Sequence, residues 1–140
     1  MTKTRDLNTG RHVVFELYVH LVFVTKYRRG VITARVRESL RSRMEKICCD
    51  FEADLLEFDG EDDHVHLLVK YPPKVQLSKL VNSLKGASSR VIRQMDYPEV
   101  TRSLWGDAFW SPSYCAVSCG GAPLEVVKQY IQDQRKPKAP

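Results

Sequence analysis

The run Asp63-His64-Val65-His66-Leu67-Leu68-Val69 alternates with a period of two, and a β-strand is the element that such alternation fits. Residues two apart on a strand point to the same face. His64 and His66 therefore project together, while Val65, Leu67 and Val69 make an opposite face that packs on a core. Two neutral imidazoles on one rigid strand can fill two coordination positions of a divalent metal. His-x-His alone is equally compatible with two structural, hydrogen-bonded histidines.

A second alternating stretch lies at residues 12–25. Val13, Phe15, Leu17, Val19, Leu21 and Phe23 share one face, and Glu16, Tyr18 and His20 give the other a polar character. The spacing of Val36, Leu40, Met44 and Ile47 predicts a helix over residues 33–50, with Arg37, Arg41 and Arg43 outward. Asp54 to Phe58 reads as a second strand and His64 to Lys70 as a third, joined by a hairpin turn at Gly60-Glu61-Asp62-Asp63. Residues 76–95 predict a second helix, with Leu77, Leu80, Val81, Leu84, Val91 and Ile92 as core candidates. A loop bearing Trp105 and Trp110 follows Pro98, then a fourth strand near 110–118. Gly120-Gly121 breaks that strand, and Pro123 opens a last helix through about Gln134. The order β-α-β-β-α-β plus a terminal helix resembles a ferredoxin-like α+β sandwich, an antiparallel sheet with helices on one face.

The length of 140 residues suits one domain covering 1–140. No apolar run approaches the roughly 20 residues that span a bilayer, and the first residues lack a signal-peptide core. A cytoplasmic protein without a membrane partner is the expectation. Cys48, Cys49, Cys115 and Cys119 lack zinc-ribbon spacing and read as buried thiols. The net charge of +5 is unevenly spread: residues 1–50 carry eleven Lys/Arg against five Asp/Glu, and residues 51–75 carry two against seven. A basic surface for a polyanion beside a local negative field for a cation would produce that split, and so would a solvated surface without a partner.

On the last helix, Tyr130 and Gln134 are four residues apart and share a face. From the helix alone, Tyr130 is as readily a packing aromatic and Gln134 a solvated helix end.

Together, Asp63-His64-Val65-His66, Tyr130 with Gln134, and the early run from His20 through Thr25-Lys26-Tyr27-Arg28 resemble the small single-tyrosine HUH transposases of bacterial insertion sequences, the TnpA type. The likeness covers nearly the whole chain in order. It implies an enzyme of single-strand DNA transposition and recombination, in which His64, His66 and Gln134 hold a divalent metal, Mg2+ or Mn2+. Tyr130 matches the nucleophile, which forms a 5′-phosphotyrosine and releases a 3′-OH. The resemblance also implies a homodimer whose terminal helix reaches its partner's histidines, acting on single-stranded DNA with subterminal hairpins. Gly120-Gly121 offers a joint for that helix, or an ordinary turn. A phenol with an ordinary pKa of about 10 needs activation near neutral pH, and no base is evident in the sequence.

Asp63 could orient a ligand histidine, and a turn aspartate explains it equally well. Lys26, Tyr27, Arg28 and Arg29 are the nominated DNA contacts, with Lys3, Arg5 and Arg11 beside them; basic groups neutralise phosphates and the tyrosine can stack on unpaired bases. His12 and His20 read as structural. Two rivals remain: a domesticated relative that nicks repeated palindromes, and a ferredoxin-like nucleic-acid-binding module without catalysis.

Overall fold

The alternating N-terminal stretch divides into two strands. The computed structural model describes residues 8–9, 14–15, 17–104, 108–118 and 130–133. In it β1 (Asn8–Thr9) and β2 (Val14–Phe15) form a small antiparallel ribbon of their own, and β3 (Tyr18–Val24) belongs to the main sheet. The single strand expected over 12–25 is thus corrected: the backbone changes sheets before Tyr18, and Leu17 between them is 36% exposed. From Val19 onward the expected inward face holds, with Val19, Leu21 and Phe23 buried. Val22 and Val24 on the opposite face are buried too, so β3 is covered on both sides.

Four strands make the main sheet in the order β4-β5-β3-β6, with every neighbouring pair antiparallel. Here β4 is Asp54–Gly60, β5 is His64–Lys70 and β6 is Cys115–Ser118. This is the ferredoxin-like order that the alternation of elements implies. α1 (Ala34–Asp50) starts after Thr33, whose side chain accepts from the Val36 amide as an N-cap. α2 (Leu77–Met95) follows the Pro72-Pro73 turn. Val36, Leu40 and Met44 of α1 and Leu80, Val81, Leu84 and Ile92 of α2 join Leu21, Phe23, Val65, Leu67 and Val69 in one core. Each such side chain, fully removed from water, stabilises the fold by about 1.5–3 kcal/mol before chain entropy is counted.

Two departures concern the region after α2. Pro98–Leu104 forms a short helix, α3, where a loop was expected; Pro98 suits a first helical turn, which needs no amide there, and Glu99 holds Arg35 of α1. The fourth strand is shorter than residues 110–118, because Trp110 makes only an isolated bridge to Thr25. That tryptophan is a buried anchor: its indole NH donates to Ser88 Oγ at 3.0 Å, and its ring meets Phe23 and Phe109 edge-on. Cys48 is buried, with its thiol pushed up to about 12 by burial, whereas Cys49 is exposed and Cys115 half-buried. Trp105, Cys119, Gly120-Gly121 and Pro123 lie outside the described residues.

The β4–β5 hairpin depends on one glycine. Gly60 has φ +157°, and a Cβ there would lie 2.2 Å from the His64 carbonyl oxygen and 2.8 Å from Val65 Cα. Both are backbone atoms that cannot swing aside. Gly60→Ala is expected to lower unfolding stability by about 1–3 kcal/mol or more through strain and clash. A urea midpoint equal to that of the parent protein would contradict this account of the hairpin.

Candidate active site

The two histidines belong to a row that crosses the whole sheet. Asp59 pairs with His66, His66 with Val22, and Val22 with Cys115, so these four side chains lie on one face across β4, β5, β3 and β6. His64 pairs with Val24 one step along the same face. The imidazole rings are 6.1 Å apart and nearly parallel at 24°. The face expected to be polar at Tyr18 and His20 is this histidine face.

His64 is held in one orientation. Its Nδ1 lies 2.8 Å from a carboxylate oxygen of Asp63. An ionised carboxylate only accepts, so Nδ1 carries the proton, and in the neutral ring Nε2 keeps its lone pair for another partner. Asp63 is itself buried, which alone would raise its carboxyl; hydrogen bonds from His64 and Arg28 carry it below its ordinary value. The Asp63 carbonyl accepts from the Thr25 amide at 3.0 Å, with Thr25 Oγ1 3.2 Å away, joining the hairpin to the end of β3. His66 is shifted down, mainly by burial and against the pull of Asp59, so it is neutral near pH 7. A neutral imidazole with a free lone pair is the form that ligates a metal. Among the described residues no group of three His, Cys, Asp or Glu side chains converges. A metal held here would take His64 and His66 and need further donors besides the described His, Cys, Asp and Glu; Gln134 lies outside the described residues.

Tyr130 lies in the described helical stretch 130–133. Its phenolic oxygen lies 2.7 Å from Ser113 Oγ. The half-buried phenol is raised above its ordinary pKa by burial, the Ser113 hydrogen bond opposes this, and the nearby Cys115 adds to it. Tyr130 therefore neighbours the β6 end of the row whose other members include His66. Two strand spacings, about 10 Å, separate the backbones of β5 and β6.

Of the nominated DNA contacts, Lys26, Tyr27 and Arg28 form a 3-10 turn after β3 and Arg29 caps it. Tyr27 is 42% exposed, and Lys26 Nζ and the Arg29 guanidinium lie 5.4 and 5.3 Å from its ring centre. Arg28, nominated with them, turns inward and donates to Asp63 at 3.1 Å. Ser113 and Thr25 were missed in the sequence. Single hydroxyls carry no pattern, and the only hint is the polar Ser111-Pro112-Ser113 between Trp110 and Tyr114. Lys3, Arg5, Arg11 and His12 lie outside the described residues, and no helix among the described ones is long and apolar enough to cross a membrane.

Known proteins share this sequence pattern and fold. The ISDra2 transposase TnpA of Deinococcus radiodurans is 31% identical over 129 residues, covering 92% of this chain and 91% of that protein. The transposase for insertion sequence element IS200 of Salmonella typhimurium is 28% identical over 129 residues, covering 92% and 84%. The crystal structure of a Deinococcus radiodurans protein assigned as a transposase superposes with a TM-score of 0.83 at 31% identity, covering 93% of this chain and 99% of that one. A REP-associated tyrosine transposase bound to a REP hairpin shares the fold at a TM-score of 0.52 and 14% identity, covering 91% and 68%. A family model described as "Transposase IS200 like" matches residues 13–134. With its four-stranded sheet and histidine face, the chain belongs to the IS200-like transposase family.

Proposed function

We propose that this transposase is a single-tyrosine HUH enzyme that cleaves and rejoins single-stranded DNA ends, with Tyr130 as nucleophile and His64, His66 and Gln134 as holders of Mg2+ or Mn2+. The observation that carries the reading is the shared face: the Asp63-oriented His64, the neutral His66 and, at Cys115, the neighbour of Tyr130. When bound, the cation would act as a Lewis acid on the scissile phosphate. The chain's own residues do the rest. Asp63 leaves the lone pair of neutral His64 on Nε2, and burial favours the unprotonated form of His66.

Tyr130 Oη attacks the phosphorus as the P–O3′ bond breaks. The phenolic proton leaves to water, and the departing oxygen takes a proton to become a free 3′-OH. The 5′-phosphotyrosine conserves the phosphodiester's energy, so a 3′-OH from the other DNA end can attack it and release Tyr130. Two ends require two tyrosines and hence a homodimer of chains with one such tyrosine each. Hairpin DNA is the proposed partner, as the REP-hairpin complex of the fold relative suggests. Tyr27, with Lys26 and Arg29 over its ring, suits an unpaired base and its phosphates.

On a denaturing gel, wild-type protein with single-stranded element-end DNA and Mn2+ should give a covalent adduct. Tyr130→Phe should bind that DNA and give none, and His64→Ala, His66→Ala or a chelator should each abolish the adduct. An adduct that persists in Tyr130→Phe, or in chelator, sinks the corresponding assignment.

Asp63→Asn should weaken Mn2+ binding, measured by calorimetry, by about 10- to 100-fold, since the partner that sets the His64 tautomer is replaced. Unchanged affinity would reduce Asp63 to a structural turn residue.

DNA affinity should fall as salt rises. With roughly 4 phosphates contacted at ~0.7 each, the log–log slope is about −3. A flat dependence would exclude Lys26 and Arg29 as phosphate contacts.

A further inference from the structure

The segment between Trp110 and β6 is held by a lysine that the proposed chemistry does not use. Lys85 of α2 is half-buried, and its ammonium donates to the Ser111 carbonyl at 2.7 Å and to the Ser113 carbonyl at 3.1 Å. Its Nζ also lies 5.9 Å from the Tyr114 ring centre. Burial lowers its pKa, a cost that the two carbonyl dipoles offset. On one side of this clamp the chain is fixed by buried Trp110 and by the Ser111 amide on the Val24 carbonyl at 2.8 Å. On the other it is fixed by Cys115 pairing with Val22. Between these points stands Ser113, whose hydroxyl meets the Tyr130 phenol at 2.7 Å.

We infer that Ser113 and Lys85 form a docking station for the nucleophile: Ser113 contacts the attacking oxygen directly and aims it along the histidine face, and Lys85 is the positioning residue that holds Ser113 in place. The inference rests on Tyr130 being the nucleophile. A hydroxyl suits the task because it accepts from the neutral phenol and donates to the oxygen as negative charge grows there. It takes no proton itself; the phenolic proton still leaves to water. Lys85 holds carbonyls and leaves the reacting oxygen untouched, so its effect passes through the backbone at Ser111 and Ser113.

The test combines single-turnover adduct formation at saturating element-end DNA, DNA affinity by anisotropy, and the Cζ NMR signal of Tyr130 in DNA-free protein labelled at tyrosine. Ser113→Ala should slow adduct formation by about 3- to 10-fold, the worth of one neutral hydrogen bond. Its affinity should be unchanged and its Tyr130 signal shifted. Ser113→Thr, which keeps the hydroxyl, should restore both rate and signal. Lys85→Met should shift the Tyr130 signal and slow the reaction without loss of affinity. A wild-type rate in Ser113→Ala overturns the station, and a faster rate overturns it in favour of a latch that parks the tyrosine. Lost affinity with an unchanged saturating rate in Lys85→Met would make that lysine a phosphate contact and overturn its positioning role. If Tyr130→Phe still forms adduct, the nucleophile assignment falls and the station with it; an inactive Tyr130→Phe beside a normal Ser113→Ala removes the station alone.

Discussion

A carboxylate buried at the mouth of a hairpin must find partners, and Asp63 finds them on either side of itself. Its side chain takes Nδ1 of His64 and Nε of Arg28, and its carbonyl takes the Thr25 amide. Loss of any one would leave a desolvated charge or dipole short of compensation, which is costly inside a protein. The β4–β5 turn, the end of β3 and one imidazole therefore behave as a single unit. The same contacts stabilise strain next door. Tyr27 and Arg28 both occupy the left-handed region, at φ 63° and 56°, where each non-glycine residue costs about 1–3 kcal/mol. The Arg28–Asp63 ion pair and the Thr25 hydroxyl on the Arg29 carbonyl, at 2.7 Å, hold the turn in that shape. Exposed Tyr27 and the histidine face are thus built on one node.

Much of the fold was legible because its periodicities are strong and local. α1, α2 and β5 fall within a residue of where Val36-Leu40-Met44, Leu80-Leu84 and the His64–Lys70 alternation put them. The failures are also physical. Alternation cannot reveal where a chain leaves one sheet for another, so β2 and β3 read as one strand. Leu21-Val22-Phe23-Val24 is a continuous apolar run, the mark of a strand buried on both faces, and it outweighs the alternation around it. α3 is too short to show a helical period, and its Pro98 resembles a breaker from sequence alone.

The site divides along the same line. The shared face of His64 and His66 was legible because two residues apart on a strand is a rigid relation. Asp63 left two readings open, and its 2.8 Å contact with the His64 ring favours the orienting one. Arg28 sat in a basic run, where composition suggests phosphate; only the fold brings it to a carboxylate 35 residues away. Ser113 meets Tyr130 across 17 residues of chain, a distance over which a lone serine leaves no trace in sequence.

One desolvated face has opposite consequences for the two kinds of group on it. Burial disfavours charge, so it pushes His66 down and Tyr130 up. For an imidazole the neutral form is the ligand, and burial prepares it. For a phenol the neutral form is the poor nucleophile, and burial holds it back. At rest, burial therefore favours a neutral imidazole and a neutral phenol, which in the proposed mechanism are a histidine ready to receive a cation and a tyrosine not yet ready to attack. Positive charge brought to the histidines would favour the phenolate; among the described residues, Lys85 is directed at carbonyls and Arg28 at Asp63. In the proposed mechanism, activation of the nucleophile is then coupled to what binds. On that proposal, a tyrosine that breaks DNA would stay protonated until the cation and the strand were both in place.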